Sequence, residues 1–171
     1  MSEKALLVID MQNDYLWEKR KNKFAYDTPH LVNKVNDTII EYSRNGWDII
    51  YILQVFPNIV TNRWFIGFSI SGTEGAELYK GVELVSEYCF EKNFPDTFTS
   101  KLFREHIKKT GCTEFAICGI DECGCVGATA MGAVKAGYKV KMIKDAIGCR
   151  FSNEKLEKKR NKLISLGVEY I

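Results

Sequence analysis

EFAICGIDECGCVGATAMGAVKAGYKVKMI, residues 114–143, is the stretch on which the fold turns. Its opening EFAICGI (114–120) is a short apolar run without helical period and reads as a buried strand. DECG (121–124) reads as a turn, and CVGATAMGAVKA (125–136) as a helix of small residues ended by Gly137. KVKMI (139–143) reads as the next strand. A strand, a helix and a second strand in close succession describe a parallel crossover, and parallel strands need helices on the sheet's faces.

The same alternation extends in both directions. ALLVID (5–10) is a first buried strand, followed by a long polar loop. A helix then opens with Thr28 as N-cap and Pro29 at its first position. Its apolar face runs through Leu31, Val32, Val35, Ile39 and Ile40, and Gly46 lies beyond its end. WDIIYILQVF (47–56) is the second strand, and glycines punctuate an irregular stretch over 57–82. YCFEK (88–92) reads as the third strand, 100–110 as a short helix closed by Gly111, and 153–165 as a basic amphipathic helix. VEYI (168–171) is a last strand. The predicted class is therefore α/β: three layers, with a six-stranded, mostly parallel sheet between helices. One domain over 1–171 is expected, since no Gly/Ser/Pro-rich linker divides the chain.

Composition narrows the functional classes. The chain has 171 residues, 46% hydrophobic and 27% charged, with a formal net charge of +2. That near balance gives no global pull towards nucleic acid or anionic lipid. The basic run EKLEKKRNKL (154–163) reads as the solvated face of a helix whose apolar side carries Leu156, Leu163 and Ile164. No apolar run approaches the roughly 18 residues of a membrane span, and the start lacks a signal peptide's apolar region. A cytoplasmic protein acting on a small molecule is expected, with neither nucleic acid nor membrane as partner.

In open parallel sheets, ligands sit at the carboxyl ends of the strands. That rule selects Asp10 after the first strand, Lys92 after the third, and Ile120–Cys125 after the fourth. Cys125 begins a predicted helix, where unpaired N–H groups and the helix dipole favour a thiolate. The turn before it offers backbone N–H groups for an oxyanion. A carboxylate, an ammonium and an activatable thiol at neighbouring strand ends make a nucleophilic site. Other motifs fail. No glycine follows the first strand as a dinucleotide fingerprint requires, and Cys125-Val126 stands where a phosphate loop has Lys-Ser/Thr. Among the six cysteines, Cys123 and Cys125 lack the other half of a zinc set, and His30 and His106 show no ligand spacing. No metal or other cofactor is expected.

Taken together these segments resemble the isochorismatase-like cysteine hydrolases, the superfamily that includes nicotinamidase, N-carbamoylsarcosine amidase and isochorismatase. LLVIDMQNDYL (6–16) is similar to the family's opening strand, and SGTEGAEL (71–78) to its G-T-x-G segment. Lys92 with Phe98 and Leu102 resembles the catalytic-lysine motif, and GIDECGCVGATAMGAVKAGYKV (119–140) the nucleophile segment. The resemblance implies Cys125 as nucleophile, Asp10 as the base that takes its proton, and Lys92 as the cation that holds the two in register. It also implies a non-proline cis peptide at Ile120–Asp121, aiming the Asp121 N–H with that of Cys125 at the oxyanion. Homo-oligomers, dimers or larger, are common in the family and are expected here.

Departures from the family are equally specific. Nicotinamidases bind a metal near the second strand; the corresponding positions here are Gln54, Phe56 and Phe68, none a strong ligand. Isochorismatases lack the cysteine, so Cys125 favours hydrolysis of a C–N bond in a small amide, ureido or carbamoyl compound. The acidic turn Asp121-Glu122 is expected to oppose thiolate formation. Tyr15, Gln54, Phe56, Trp64 and Phe65 are the expected substrate pocket. Alternatives are a catalytically idle or redox-sensing relative using the Cys123/Cys125 pair, or a nicotinamidase or isochorismatase proper.

Overall fold

The computed structural model describes residues 2–171. Six strands form one sheet: β1 (Lys4–Ile9), β2 (Asp48–Gln54), β3 (Cys89–Lys92), β4 (Glu114–Ile120), β5 (Lys139–Gly148) and β6 (Glu169–Tyr170). Their order is β3-β2-β1-β4-β5-β6, and every strand pairing in the sheet is parallel. The chain winds outward from β1 to one edge, returns to β4, and winds to the other edge. The connections therefore reverse direction between β1 and β4, and in such sheets a crevice opens at that switch point.

Alternation along β1 assigns the two faces. Leu6 and Val8 lie with Leu31, Val32, Val35 and Ile39 of helix α2 (Thr28–Arg44), which follows the short helix α1 (Asn13–Leu16). Ala5, Leu7 and Ile9 lie on the other face. There they meet Phe103 and Ile107 of α4 (Lys101–Thr110), Val126, Ala130 and Ala133 of α5 (Cys125–Lys135), and Leu163 of α6 (Asn153–Ser165). Because both faces of β1 and β4 are covered, these strands are apolar throughout rather than alternating. The small residues of α5 let that helix lie close to the sheet behind β4.

Several boundaries differ from the sequence reading. Asp27, not Thr28, caps α2: its carboxylate accepts the His30 N–H at 3.2 Å. The Thr28 hydroxyl instead donates to the Leu16 carbonyl at 3.1 Å and ties the preceding loop to the helix. β5 runs on to Gly148, across a register shift opposite Ile117/Gly119, so its end reaches the turn after β4. α1 and helix α3 (Val60–Phe65) occupy segments read as loop, being too short to show a helical period. Gly111 closes α4 as expected, in the left-handed conformation at φ 72°.

Candidate active site

Asp10, Gln54 and Lys92 are the residues at the ends of three adjacent strands. Asp10 directly follows β1 with φ 54°, a left-handed conformation that Asp tolerates better than most residues. Its N–H donates to the Ile52 carbonyl at 2.8 Å, which anchors it against β2. Lys92 ends β3, two strands away, in register with Gln54. The Lys92 side chain reaches across β2: its Nζ donates to Asp10 Oδ2 at 3.0 Å and to Gln54 Oε1 at 2.8 Å. Lys92 is only 1% exposed, and Asp10 and Gln54 are buried with it. Charges so deep are tolerated because each is paired and hydrogen-bonded.

Gln12, which the sequence reading passed over, holds this corner together. Its side-chain amide donates to the carbonyls of Gln54 and Ala76 at 2.9 and 2.7 Å, and its Oε1 accepts the Gln54 N–H at 2.9 Å. An amide two residues after the strand-ending aspartate was the available signal; its burial shows only in the structure. Two polar atoms stay without a partner, Asp10 Oδ1 and Gln54 Nε2, and both residues line a cavity of about 460 Å³. An acceptor and a donor left open at a cavity wall are places for a ligand's polar groups.

Cys125, the first residue of α5, lines the same cavity. Its thiol lies 4.0 Å from Gln54 Oε1. Burial pushes the thiol's pKa well above that of a free cysteine, and the Asp10 charge adds to this while Lys92 opposes it. The sequence reading expected a thiolate here, opposed by the acidic turn; in the structure the leading causes that disfavour the thiolate are burial and the Asp10 charge. Burial likewise raises the Asp10 carboxyl, against the lowering effect of Lys92.

The turn's acidic side chains have structural partners. The bond Ile120–Asp121 is cis. Asp121 Oδ1 accepts the Cys123 N–H at 2.8 Å, and Oδ2 accepts the Tyr26 hydroxyl at 3.0 Å and the Arg150 N–H at 2.8 Å. Glu122 points away from the cavity to α6, where Arg160 donates to it twice, at 2.7 and 2.8 Å. Glu122, Cys123, Gly124 and Val126 spend their N–H groups on these and neighbouring acceptors. Cys123 does not face Cys125: its sulfur is 3.7 Å from that of Cys149.

Tyr15, Gln54 and Phe56 line the cavity as the sequence reading expected, joined by Phe24, Phe68, Phe94 and Phe151. Trp64 and Phe65 do not. They are 84% and 87% exposed on α3, a helix with no buried residue, and take no part in the wall. At the three positions where nicotinamidases place a metal, the donor set does not fit one. Gln54 Oε1 is held by Lys92, and Phe56 and Phe68 meet edge to face with ring centres 6.0 Å apart. No helix among the described residues is long and apolar enough to cross a membrane.

Comparison with known proteins places the chain in a family. The isochorismatase domain family model matches residues 4–166. An uncharacterized isochorismatase family protein of Bacillus subtilis is 28% identical over 144 residues, covering 83% of this chain and 76% of its own. A protein named a probable inactive nicotinamidase of Arabidopsis thaliana is 28% identical over 158 residues, covering 83% and 79%. The crystal structure of N-carbamoylsarcosine amidase from Thermoplasma acidophilum superposes with a TM-score of 0.82 at 20% identity, over 99% of this chain and 95% of that one. A family match running from the start of β1 to just past α6, on a sheet of the same architecture, means that the chain belongs to the isochorismatase family of hydrolases.

Proposed function

We propose that this chain is a cysteine hydrolase that cleaves the C–N bond of a small amide, ureido or carbamoyl compound, with no metal taking part in the chemistry. The reading rests on one observation: a buried Lys92–Asp10 pair whose second carboxylate oxygen has no partner, on the wall of the cavity that Cys125 lines. A carboxylate oxygen left open beside a thiol whose ionisation burial disfavours is a proton acceptor in waiting.

The Cys125 sulfur attacks the carbonyl carbon as its proton passes to Asp10, so no free thiolate has to form in the resting enzyme. The N–H of Asp121, directly after β4, and that of Cys125, at the start of α5, receive the developing oxyanion. Asp10 returns the proton to the leaving nitrogen, the C–N bond breaks, and a thioester remains. Asp10, ionised again, then takes a proton from the water that attacks the thioester and passes it to the Cys125 sulfur as the C–S bond breaks, which restores the thiol and the carboxylate. Lys92 keeps the carboxylate oriented throughout and favours its charged form. Gln54 Nε2 supplies a donor to the substrate's polar group. The apolar remainder of the cavity, within the usual range for small-molecule sites, suits a compact substrate with an apolar or aromatic body. The name of the Thermoplasma acidophilum relative, an amidase, is in keeping with C–N cleavage.

A panel of small amides, ureas and carbamoyl compounds, assayed for ammonia or amine release, tests the reading. Turnover of at least one class by the wild type and none by Cys125→Ala is expected. Equal turnover by both proteins would remove the cysteine from the reaction.

A further inference from the structure

We infer that Asp121, Cys123 and Cys149 form a binding site for a thiophilic divalent cation, of the class of zinc or cadmium, beside the cavity and independent of Cys125. The fold brings the three together. The 121–124 turn follows β4 and Cys149 follows β5, whose ends are in register at Ile120 and Gly148. The Glu122 N–H also donates to the Gly148 carbonyl at 3.0 Å. One ligand atom from each of the three residues lies within 4.8 Å of the others. Cys149 is thus the partner that the Cys123 segment lacked in sequence; a separation of 26 residues fits no spacing rule for zinc ligands.

The spacing suits a tetrahedral ion. With metal–sulfur bonds of about 2.3 Å, two thiolates on one zinc stand about 3.8 Å apart, and these two sulfurs are 3.7 Å apart. A disulfide would need them at about 2.05 Å. Asp121 Oδ1 accepts one hydrogen bond, from the Cys123 N–H, and so keeps a lone pair for a metal. Both cysteines are half-buried, which leaves the fourth position to water. Binding replaces two S–H bonds by two metal–sulfur bonds and releases two protons to solvent, with no change in oxidation state. The Arg150 Nε, 4.0 Å from Asp121 Oδ2, offsets the remaining negative charge. Glu122 is not a ligand, being held by Arg160.

The full chain, reduced with a phosphine and stripped with a chelator, would be titrated with cadmium and zinc salts. Binding is read from the thiolate-to-cadmium absorption in the ultraviolet and by calorimetry. One ion per chain is expected, with binding weakened at least about 100-fold in Cys123→Ser and in Cys149→Ser. Cys125→Ser should bind as the wild type does. The melting temperature should rise with zinc in the wild type and Cys125→Ser but not in Cys149→Ser, a readout that also shows the variants are folded. No saturable binding in the wild type, unchanged binding in Cys149→Ser, or loss in Cys125→Ser would each overturn the site. Cys125→Ser separates this question from the hydrolase reading, since that reading demands its inactivity and the metal site demands its binding.

Discussion

Cys125 occupies surroundings that work against its own ionisation, and the consequence is testable at the level of single groups. Cys125→Ala should abolish turnover with folding intact, and Asp10→Asn should lower kcat by about 10²–10⁴-fold, the scale of a lost proton acceptor; steady-state kinetics with a circular dichroism control checks both. The pH profile carries a sharper expectation. Asp10 must be ionised to act as a base, and burial raises its pKa, so the acid limb of kcat/KM should lie above the ordinary carboxylate value of about 3.9. Lys92 is the cation that lowers both Asp10 and Cys125. In Lys92→Ala the acid limb should therefore move to higher pH, and so should the profile for alkylation of Cys125 by iodoacetamide. Profiles that coincide with the wild type would remove Lys92 from the electrostatics of the site. The positions of Asp10, Lys92 and Cys125 were legible because strand ends carry chemistry in this class of sheet. What disfavours the thiolate was not, because burial and the direction of a neighbouring carboxylate are properties of three dimensions.

Elements were legible where periodicity is strong and blurred where it is short. β1, β2, β4 and α5 stand close to their expected places, whereas α1 and α3 have too few turns to show a period. The register of β4 against β1 depends on Gly119, at φ 108°, where a Cβ would collide with the Ile9 backbone. Gly119→Ala should thus cost about 2 kcal/mol or more, read as a fall in the urea midpoint. At the opposite end of β4, Glu114 accepts from Lys141 at 2.8 Å and from Lys4 at 3.1 Å, on the strands to either side. The hydrogen bond from Lys141 leads in lowering its pKa. A depressed carboxyl stabilises the fold above its unfolded pKa of about 4.3, and that contribution is lost as pH falls through the folded value. Glu114→Gln should accordingly be less stable than the wild type at neutral pH, with the gap closing as the pH falls below the ordinary carboxylate range, in a series of urea midpoints from neutral to acid pH.

Over the whole molecule, the sequence carried the layer architecture and strand count but only part of the cavity wall, Tyr15, Gln54 and Phe56. Phe24, Tyr26 and Arg150 line it from loops whose courses no local pattern fixes, and Trp64 and Phe65, equally aromatic on paper, stand outside in solvent. The strand order has a further consequence, for the time course of folding. Asp10, Gln54 and Lys92 sit at the ends of β1, β2 and β3, and Cys125 follows β4, so each must arrive from a distant part of the chain. Pairings between remote segments form late, because loop closure precedes the gain from contact. No half-built sheet can therefore hold the proton acceptor, the cation and the sulfur together. On refolding from urea, hydrolysis should return in step with the final tertiary signal and without an early burst, which makes catalysis a clock for the closing of the central sheet.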